Sequence, residues 1–217
     1  FIFSADDFFI KMNNILESYP EIKTIVVASV GNLEIKDFLA FEKSAKIVSI
    51  TRDFKFPFTN LYESPATLGI DRMILASGAT IQFPSKNRLI IDAGTCITYD
   101  FVDENDNYLG GAIAPGIRLR YESLHQYTAK LPLLNKQSPK NIIGDSTSES
   151  IHSGVINSVV FEIEGYINYF TSKNDNFIII FTGGDADFLA TKLKNTIFAN
   201  SNFLLESLNQ TFQYNQK

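Results

Sequence analysis

A chain of 217 residues that is 45% hydrophobic and 20% charged can bury a sizeable core, in one large domain or two small ones, and is not disordered. Its formal net charge of −5 argues against nucleic acid or an anionic membrane surface as the main partner, which leaves a small molecule in a local pocket as the expectation. The lone Cys96 excludes an intrachain disulfide framework and a multi-cysteine zinc site; no apolar run approaches the roughly 18 residues that span a bilayer, and Asp6 and Asp7 interrupt any signal-peptide pattern, so a soluble cytoplasmic protein is expected.

The first residues, Phe1-Ile-Phe-Ser4, lack a Met and begin in mid-element, so further residues are expected to precede them. Ser4 can cap a helix over Ala5 to Glu17, with Phe8, Phe9, Met12, Ile15 and Leu16 on one face. Thr24 to Ser29 reads as a buried strand, Gly31-Asn32 as the opening of a helix to about Lys43 with Leu33, Phe38, Leu39 and Phe41 on its apolar side, and Lys46 to Ile50 as a second strand. Helix, strand, helix, strand favours parallel pairing through helical crossovers, hence an α/β fold.

Phe54 to Pro65 reads as irregular backbone around Tyr62, and Thr67 onward leads into a helix ending near Gln82. Asp71 and Arg72 open that helix. Such a pair can take a proton from an alcohol and hold an anion, although Asp in a first turn also simply offsets the helix dipole and Arg72 can be a solvated surface charge.

The most informative stretch runs from Arg88 to Gly116. Leu89-Ile-Ile-Asp92 and Cys96 to Val102 read as strands joined by Ala93-Gly94-Thr95, with a third strand to Gly110-Gly111 and Pro115-Gly116. A tight turn with Gly94 free to take positive φ would present backbone N–H groups and the Thr95 hydroxyl to a phosphate, while Asp92 faces a cation or water; ordinary hairpin-turn chemistry is the competing reading. Cys96, inside a predicted strand, is expected to be a small buried hydrophobe.

A helix over Ile117 to Gln126 follows, then a Lys-, Asn- and Pro-rich loop to Ile143. Next comes a long helix from Ser148 to about Tyr169, capped by Ser146 or Thr147, with Ile151, Val155, Val159, Phe161 or Ile163, and Tyr166 or Phe170 turned inward. Asn176 to Thr182 is a buried strand running into Gly183-Gly184 and a helix; Ile197-Phe198 and Leu204 to Gln213 supply a last strand and helix. His125 and His152 have no ligand-spaced neighbours and read as structural.

Taken together, Tyr62 with Pro65, Gly69-x-Asp71-Arg72, Asp92-Ala-Gly-Thr95, Gly110-Gly-x-Ile-x-Pro-Gly116, Thr128-Ala-x-Leu-Pro132, Thr147 with Gly154, and Thr182-Gly-Gly-Asp-Ala186 closely resemble the type III pantothenate kinases over nearly the whole chain. The resemblance implies the acetate and sugar kinase, heat-shock and actin superfamily: two ribonuclease-H-like domains, here expected at residues 1–86 and 87–217, with ATP in the cleft between them. It implies ATP-dependent phosphorylation of pantothenate to 4'-phosphopantothenate, the first step towards coenzyme A, with Mg²⁺ and a monovalent cation (K⁺ or NH₄⁺) and a homodimer that completes the substrate site. Carried over by position, Asp71 is the proton acceptor, Tyr62, Gly69, Ile70, Asp71, Arg72 and Thr147 bind pantothenate, Gly94, Thr95, Gly183 and Gly184 lie at the nucleotide, and Asp92 holds the monovalent cation. The family's first Asp-x-Gly-Asn-Thr loop is absent from this sequence, and the first domain accordingly lacks its leading strands; the loop is expected in residues preceding Phe1, and without it little or no kinase activity is expected. That departure also supports a competing reading as a catalytically silent, nucleotide-binding regulatory relative. Another small-alcohol or carboxylate kinase of the superfamily is a third reading, one that would not need the Gly-x-Asp-Arg segment.

Overall fold

Alternation of apolar side chains along three consecutive strands builds the sheet on which the rest of the chain packs. The computed structural model describes residues 5–30, 35–173, 176–194 and 197–216. Strands β4 (Asn87–Ala93), β5 (Cys96–Val102) and β6 (Asn107–Pro115) form an antiparallel meander, and β7 (Phe177–Thr182) and β8 (Phe198–Ala199) add to the β4 edge in parallel. A short strand, β3 (Thr59–Asn60), pairs parallel to β6 and makes the order β3-β6-β5-β4-β7-β8. From β4 to β8, with the second strand antiparallel to its neighbours, this is the order expected of a ribonuclease-H-like sheet.

Successive residues point to opposite faces, and each face has its own cover. Leu89, Ile91, Ile97, Tyr99, Ile179 and Phe181 pack under α5 (Thr147–Thr171) and α4 (Ile117–Gln126). Ile90, Val102, Tyr108 and Ile180 pack under α3 (Ile70–Gln82) and α7 (Phe203–Tyr214). On α5 the inward side is Ile151, Val155, Val159 and Ile163, which decides the alternative left open by the helical pattern: Ile163 is buried and Phe161 exposed. His152 is buried against the Tyr121 hydroxyl at 2.8 Å, a structural role as expected.

The first half is smaller. Helix α1 (Ala5–Ser18) precedes β1 (Thr24–Val27) and β2 (Lys46–Ser49), which pair in parallel as the element order predicted. Among the described residues the predicted helix between them is α2 (Ile35–Phe38), and its expected last part is replaced by a tighter 3₁₀ turn at Leu39–Phe41; Phe38 and Phe41 close around Phe8. The Ser4 cap, Gly31-Asn32 and Leu33 lie outside the described residues. Val26 and Ala28 pack on the same apolar cluster as α3 and α7, so the C-terminal helix lies against elements of both halves.

Helix α7 is admitted to α3 by small residues. A Cβ built on Gly78 would stand 1.9 Å from Ser207 Oγ and 3.0 Å from the Ser207 backbone, and the Thr211 hydroxyl donates to Ser77 Oγ at 2.8 Å. Gly78→Ala is therefore expected to force the two helices apart and cost about 1–3 kcal/mol in urea unfolding. Gly165→Ala on α5, where nothing lies within 4 Å of the new methyl, is expected to stabilise by about 0.5–1 kcal/mol.

Candidate active site

The β4–β5 turn fixes the first group of residues. Asp92 stands opposite Thr98 on β5 and Thr182 on β7, so these three side chains form a row across the sheet on the face covered by α3. The turn closes through the Gly94 amide donating to Cys96 O at 2.9 Å and the Gly116 amide donating to Thr95 O at 3.0 Å. Gly94 does not use the positive φ expected of it; Gly110 and Gly183 do, at +105° and +98°. Gly183 needs both its conformation and its missing side chain, because a Cβ there would lie 2.4 Å from Ala93 O and 2.4 Å from Asp92 Oδ1. With the Asp185 amide donating to Ala93 O at 2.9 Å, the Gly183-Gly184 turn is clamped onto the Asp92 turn. Asp92, Gly94, Thr95, Gly183 and Gly184 are thus brought together, with the Thr95 side chain exposed. Cys96 is exposed as well, contrary to expectation: it is the first residue of β5, one step out of phase with buried Ile97, and it stands opposite exposed Pro115.

The N-terminus of α3 fixes the second group. Gly69 precedes the first turn in extended conformation, and Asp71 Oδ1 folds back to accept the Arg72 amide at 2.8 Å. Arg72 is not a solvated surface charge: it is buried, and its Nε donates to Asp100 Oδ1 at 2.9 Å. Its Nη2 lies 2.7 Å from the same oxygen but without hydrogen-bond geometry. The Tyr108 hydroxyl donates to that oxygen too, at 2.5 Å. Tyr62 completes the group, its ring 5.7 Å from the Arg72 guanidinium and 6.1 Å from the Tyr108 ring. It is delivered there by β3, whose pairing continues through the Leu61 amide to Tyr108 O at 3.0 Å. Gly110 makes room, since a Cβ at that position would approach the Tyr62 ring to 3.1 Å.

These two groups are coupled electrostatically. Burial pushes the Asp92 carboxyl up to about 6, and the charges of Asp71 and Asp100 add to the shift. Burial opposes the Arg72 charge, but the hydrogen bond to Asp100 and its charge outweigh burial and hold the guanidinium above its ordinary value. Burial pushes Asp100 up against the pull of Arg72 and Tyr108, and burial followed by the Asp100 charge raises the Tyr108 phenol, which stays a donor.

Gly69 and Ile70 line a cavity of about 410 Å³ with Ser29, Thr51 and Arg52, at the carboxyl ends of β1 and β2. Thr147 stands elsewhere. At the start of α5, beside a Ser146 cap that accepts the Glu149 amide at 3.3 Å, it lines a separate cavity of about 640 Å³ with Arg120, Leu131, Ile151 and Gly154. A third cavity, of about 530 Å³, lies beside the Gly183-Gly184 turn between Asp185, Lys136 and Tyr121, with α6 (Ala186–Ala190) beyond it.

Sequence reasoning missed Asp100 and Tyr108. The signal was present: Asp100 is an acid inside a strand otherwise made of Cys, Ile, Thr, Tyr, Phe and Val, a position where a carboxylate is buried and must be paired.

No group of three or more His, Cys, Asp and Glu converges as a metal cage among the described residues. A singly charged cation is a different matter. Asp92 is disfavoured as a carboxylate by burial and by two other acids, and opposite it on β7 the buried Thr182 Oγ1 has no hydrogen-bond partner among the described residues. A carboxylate and a hydroxyl oxygen in that state fit a hard cation.

A family model described as type III pantothenate kinase matches residues 3–169. The type III pantothenate kinase of Flavobacterium johnsoniae is 62% identical over 214 residues, covering 99% of this chain and 88% of that protein. That of Christiangramia forsetii is 46% identical over 215 residues, with the same coverage of 99% and 88%. Among solved structures, a conserved Baf family protein of Campylobacter jejuni superposes with a TM-score of 0.61 at 23% identity, over 93% of this chain and 88% of that one, a likeness of fold.

A carboxyl with a raised folded-state pKa favours folding while protonated, so its contribution is whole below pH 3.8 and is lost as pH rises through about 6. Asp92→Asn is therefore expected to be more stable than wild type at pH 8, by on the order of 1–3 kcal/mol, with the difference vanishing near pH 4. Thermal unfolding of both proteins across that range measures it.

Proposed function

The chain belongs to the type III pantothenate kinase family, and from that premise we propose that it transfers the terminal phosphoryl group of ATP to the terminal hydroxyl of pantothenate, opening the route to coenzyme A. The observation that supports the assignment of residues is that Arg72, in the first turn of α3, reaches Asp100 at 2.9 Å on the same sheet face that carries Asp92 at the β4–β5 turn.

In this reading Asp71 accepts the proton of the pantothenate hydroxyl as its oxygen bonds to the γ-phosphorus and ADP leaves. Arg72, with Tyr62 beside it, pairs with the pantothenate carboxylate, and the backbone of Gly69 and Ile70 shapes the wall of the same site. Thr95 presents its exposed hydroxyl to the phosphates, Gly94 beside it leaves room for them with no side chain, and the Gly183-Gly184 turn, bare of side chains where it meets β4, lies along the nucleotide. Asp92 with Thr182 would hold a monovalent cation, K⁺ or NH₄⁺. Mg²⁺ would come with the phosphates, supplying charge neutralisation, since it is commonly held by substrate oxygens and one or two carboxylates rather than by a protein cage. Thr147, set apart in its own cavity, would serve the pantothenate site of a second subunit, which makes a homodimer the working form. The Gly183-Gly184 and Asp92 turns would belong to a domain of residues 87–217, and Gly69 to Arg72 to one of residues 1–86, with reaction in a cytoplasmic setting.

Asp71→Asn tests the chemistry. In an ADP-release assay it is expected to lower kcat by about 10²–10⁴-fold with little change in the KM for ATP, because it removes the proton acceptor and leaves the phosphate contacts in place. A variant turning over at the wild-type rate would remove Asp71 from the mechanism.

A further inference from the structure

We propose that Asp100 is a positioning residue for the reaction: from the middle of β5 it grips one edge of the Arg72 guanidinium, so that the arginine is aimed at the anionic end of the substrate before the substrate arrives. The inference rests on Arg72 being a substrate contact, as read above.

The geometry is that of a clamp. Asp100 Oδ1 receives Arg72 Nε at 2.9 Å, Nη2 crowds the same oxygen at 2.7 Å, and the Tyr108 hydroxyl donates to it at 2.5 Å. The Tyr62 ring, 5.7 Å from the guanidinium, limits rotation on another side. A long side chain that would otherwise sample many rotamers is held in one orientation, which removes an ordering cost from substrate binding.

Stability alone gives a poor account of the pair. Asp100 is fully buried on a sheet face whose neighbouring positions are the apolar Ile90 and Ile180, and apolar side chains of similar volume commonly serve such a place at least as well as an ion pair. The pair also leaves buried hydrogen-bonding capacity unused. Among the described residues Asp100 Oδ2 has no hydrogen-bond partner, and Arg72 Nη2 meets Asp100 Oδ1 only as an ion pair without hydrogen-bond geometry. Buried polar groups left in that state are costly in a purely structural network, and their retention is better accounted for where the pair orients a group that works.

The test is steady-state kinetics of the full chain with pantothenate and ATP varied separately, for wild type, Asp100→Asn, Tyr108→Phe, Arg72→Ala and the Arg72→Ala/Asp100→Asn double variant, each checked by thermal melting. Asp100→Asn is expected to raise the KM for pantothenate about 10- to 100-fold while the KM for ATP stays within about twofold. Tyr108→Phe, which removes one hydroxyl and keeps the ring, is expected to raise the pantothenate KM about threefold, and the double variant to be no worse than Arg72→Ala because the clamp has nothing left to hold. A wild-type pantothenate KM in folded Asp100→Asn, parallel losses for both substrates, or multiplying losses in the double variant would overturn the proposal. If Asp100→Asn does not fold, an unaltered pantothenate KM in Tyr108→Phe overturns it. Arg72→Ala with an unaltered pantothenate KM would instead overturn the substrate role given to Arg72.

Discussion

Two carboxylates, Asp71 and Asp92, are held near one another on a partly desolvated face, while the guanidinium beside them is committed to a third, Asp100. The arrangement is unfavourable for Asp92, whose burial and two acidic neighbours raise its cost of ionisation. Much of the structure can be read as the means of enforcing it. The β4–β5 turn places Asp92, the Gly183 backbone presses on it from β7, and α3 is pinned over the sheet by α7 on one side and the Arg72–Asp100 pair on the other. Acidic groups forced together in this way are characteristic of sites that meet cations and transfer protons, and phosphoryl transfer requires both.

The division of labour between the two sheet faces follows from one pattern. Odd-numbered residues of β4 and β5 build the core under α5, and even-numbered ones build the layer under α3, where Ile90 and Val102 give way to Asp92, Thr98 and Asp100 towards the turn. The apolar end of that layer anchors α3, and its polar end meets the residues that start α3. One helix, gripped at its middle by core and at its beginning by charge, therefore carries the proposed base and the proposed anion contact in fixed relation to the turn.

The elements legible in the sequence were those with long, regular patterns. Strands at Thr24 and Lys46, the Arg88–Gly116 meander, the helix that opens on Ile70 and Asp71, and the long α5 all stand where period-two or helical spacing placed them. The helix between β1 and β2 was carried too far at its end because Leu39, Ala40 and Phe41 continue an apolar run that tight 3₁₀ packing around Phe8 satisfies equally well. Strand β3 escaped notice because two residues carry no period; only the partner β6 defines it. Cys96 was misjudged by residue type, where its place at the strand's first position decided its exposure. At the site, glycines and acids at Gly69–Arg72, Asp92–Thr95 and Gly183-Gly184 announced themselves, since they mark turns and helix starts. Asp100 and Tyr108 did not, because their significance lies in a cross-strand and helix–sheet relation to Arg72 that no local spacing encodes.

The Asp92 turn lies close to the start of α3, and the part of the Asp92 shift that Asp71 causes reports on that proximity. Carbon-detected NMR titration of that carboxyl in the wild-type chain is predicted to give a pKa near 6, falling towards the usual carboxylate range when Asp71 is replaced by Asn. A value that does not move when Asp71 is replaced would show that the two segments do not face each other, and an ordinary value in the wild-type chain would show that Asp92 is not buried; either would contradict the site as described.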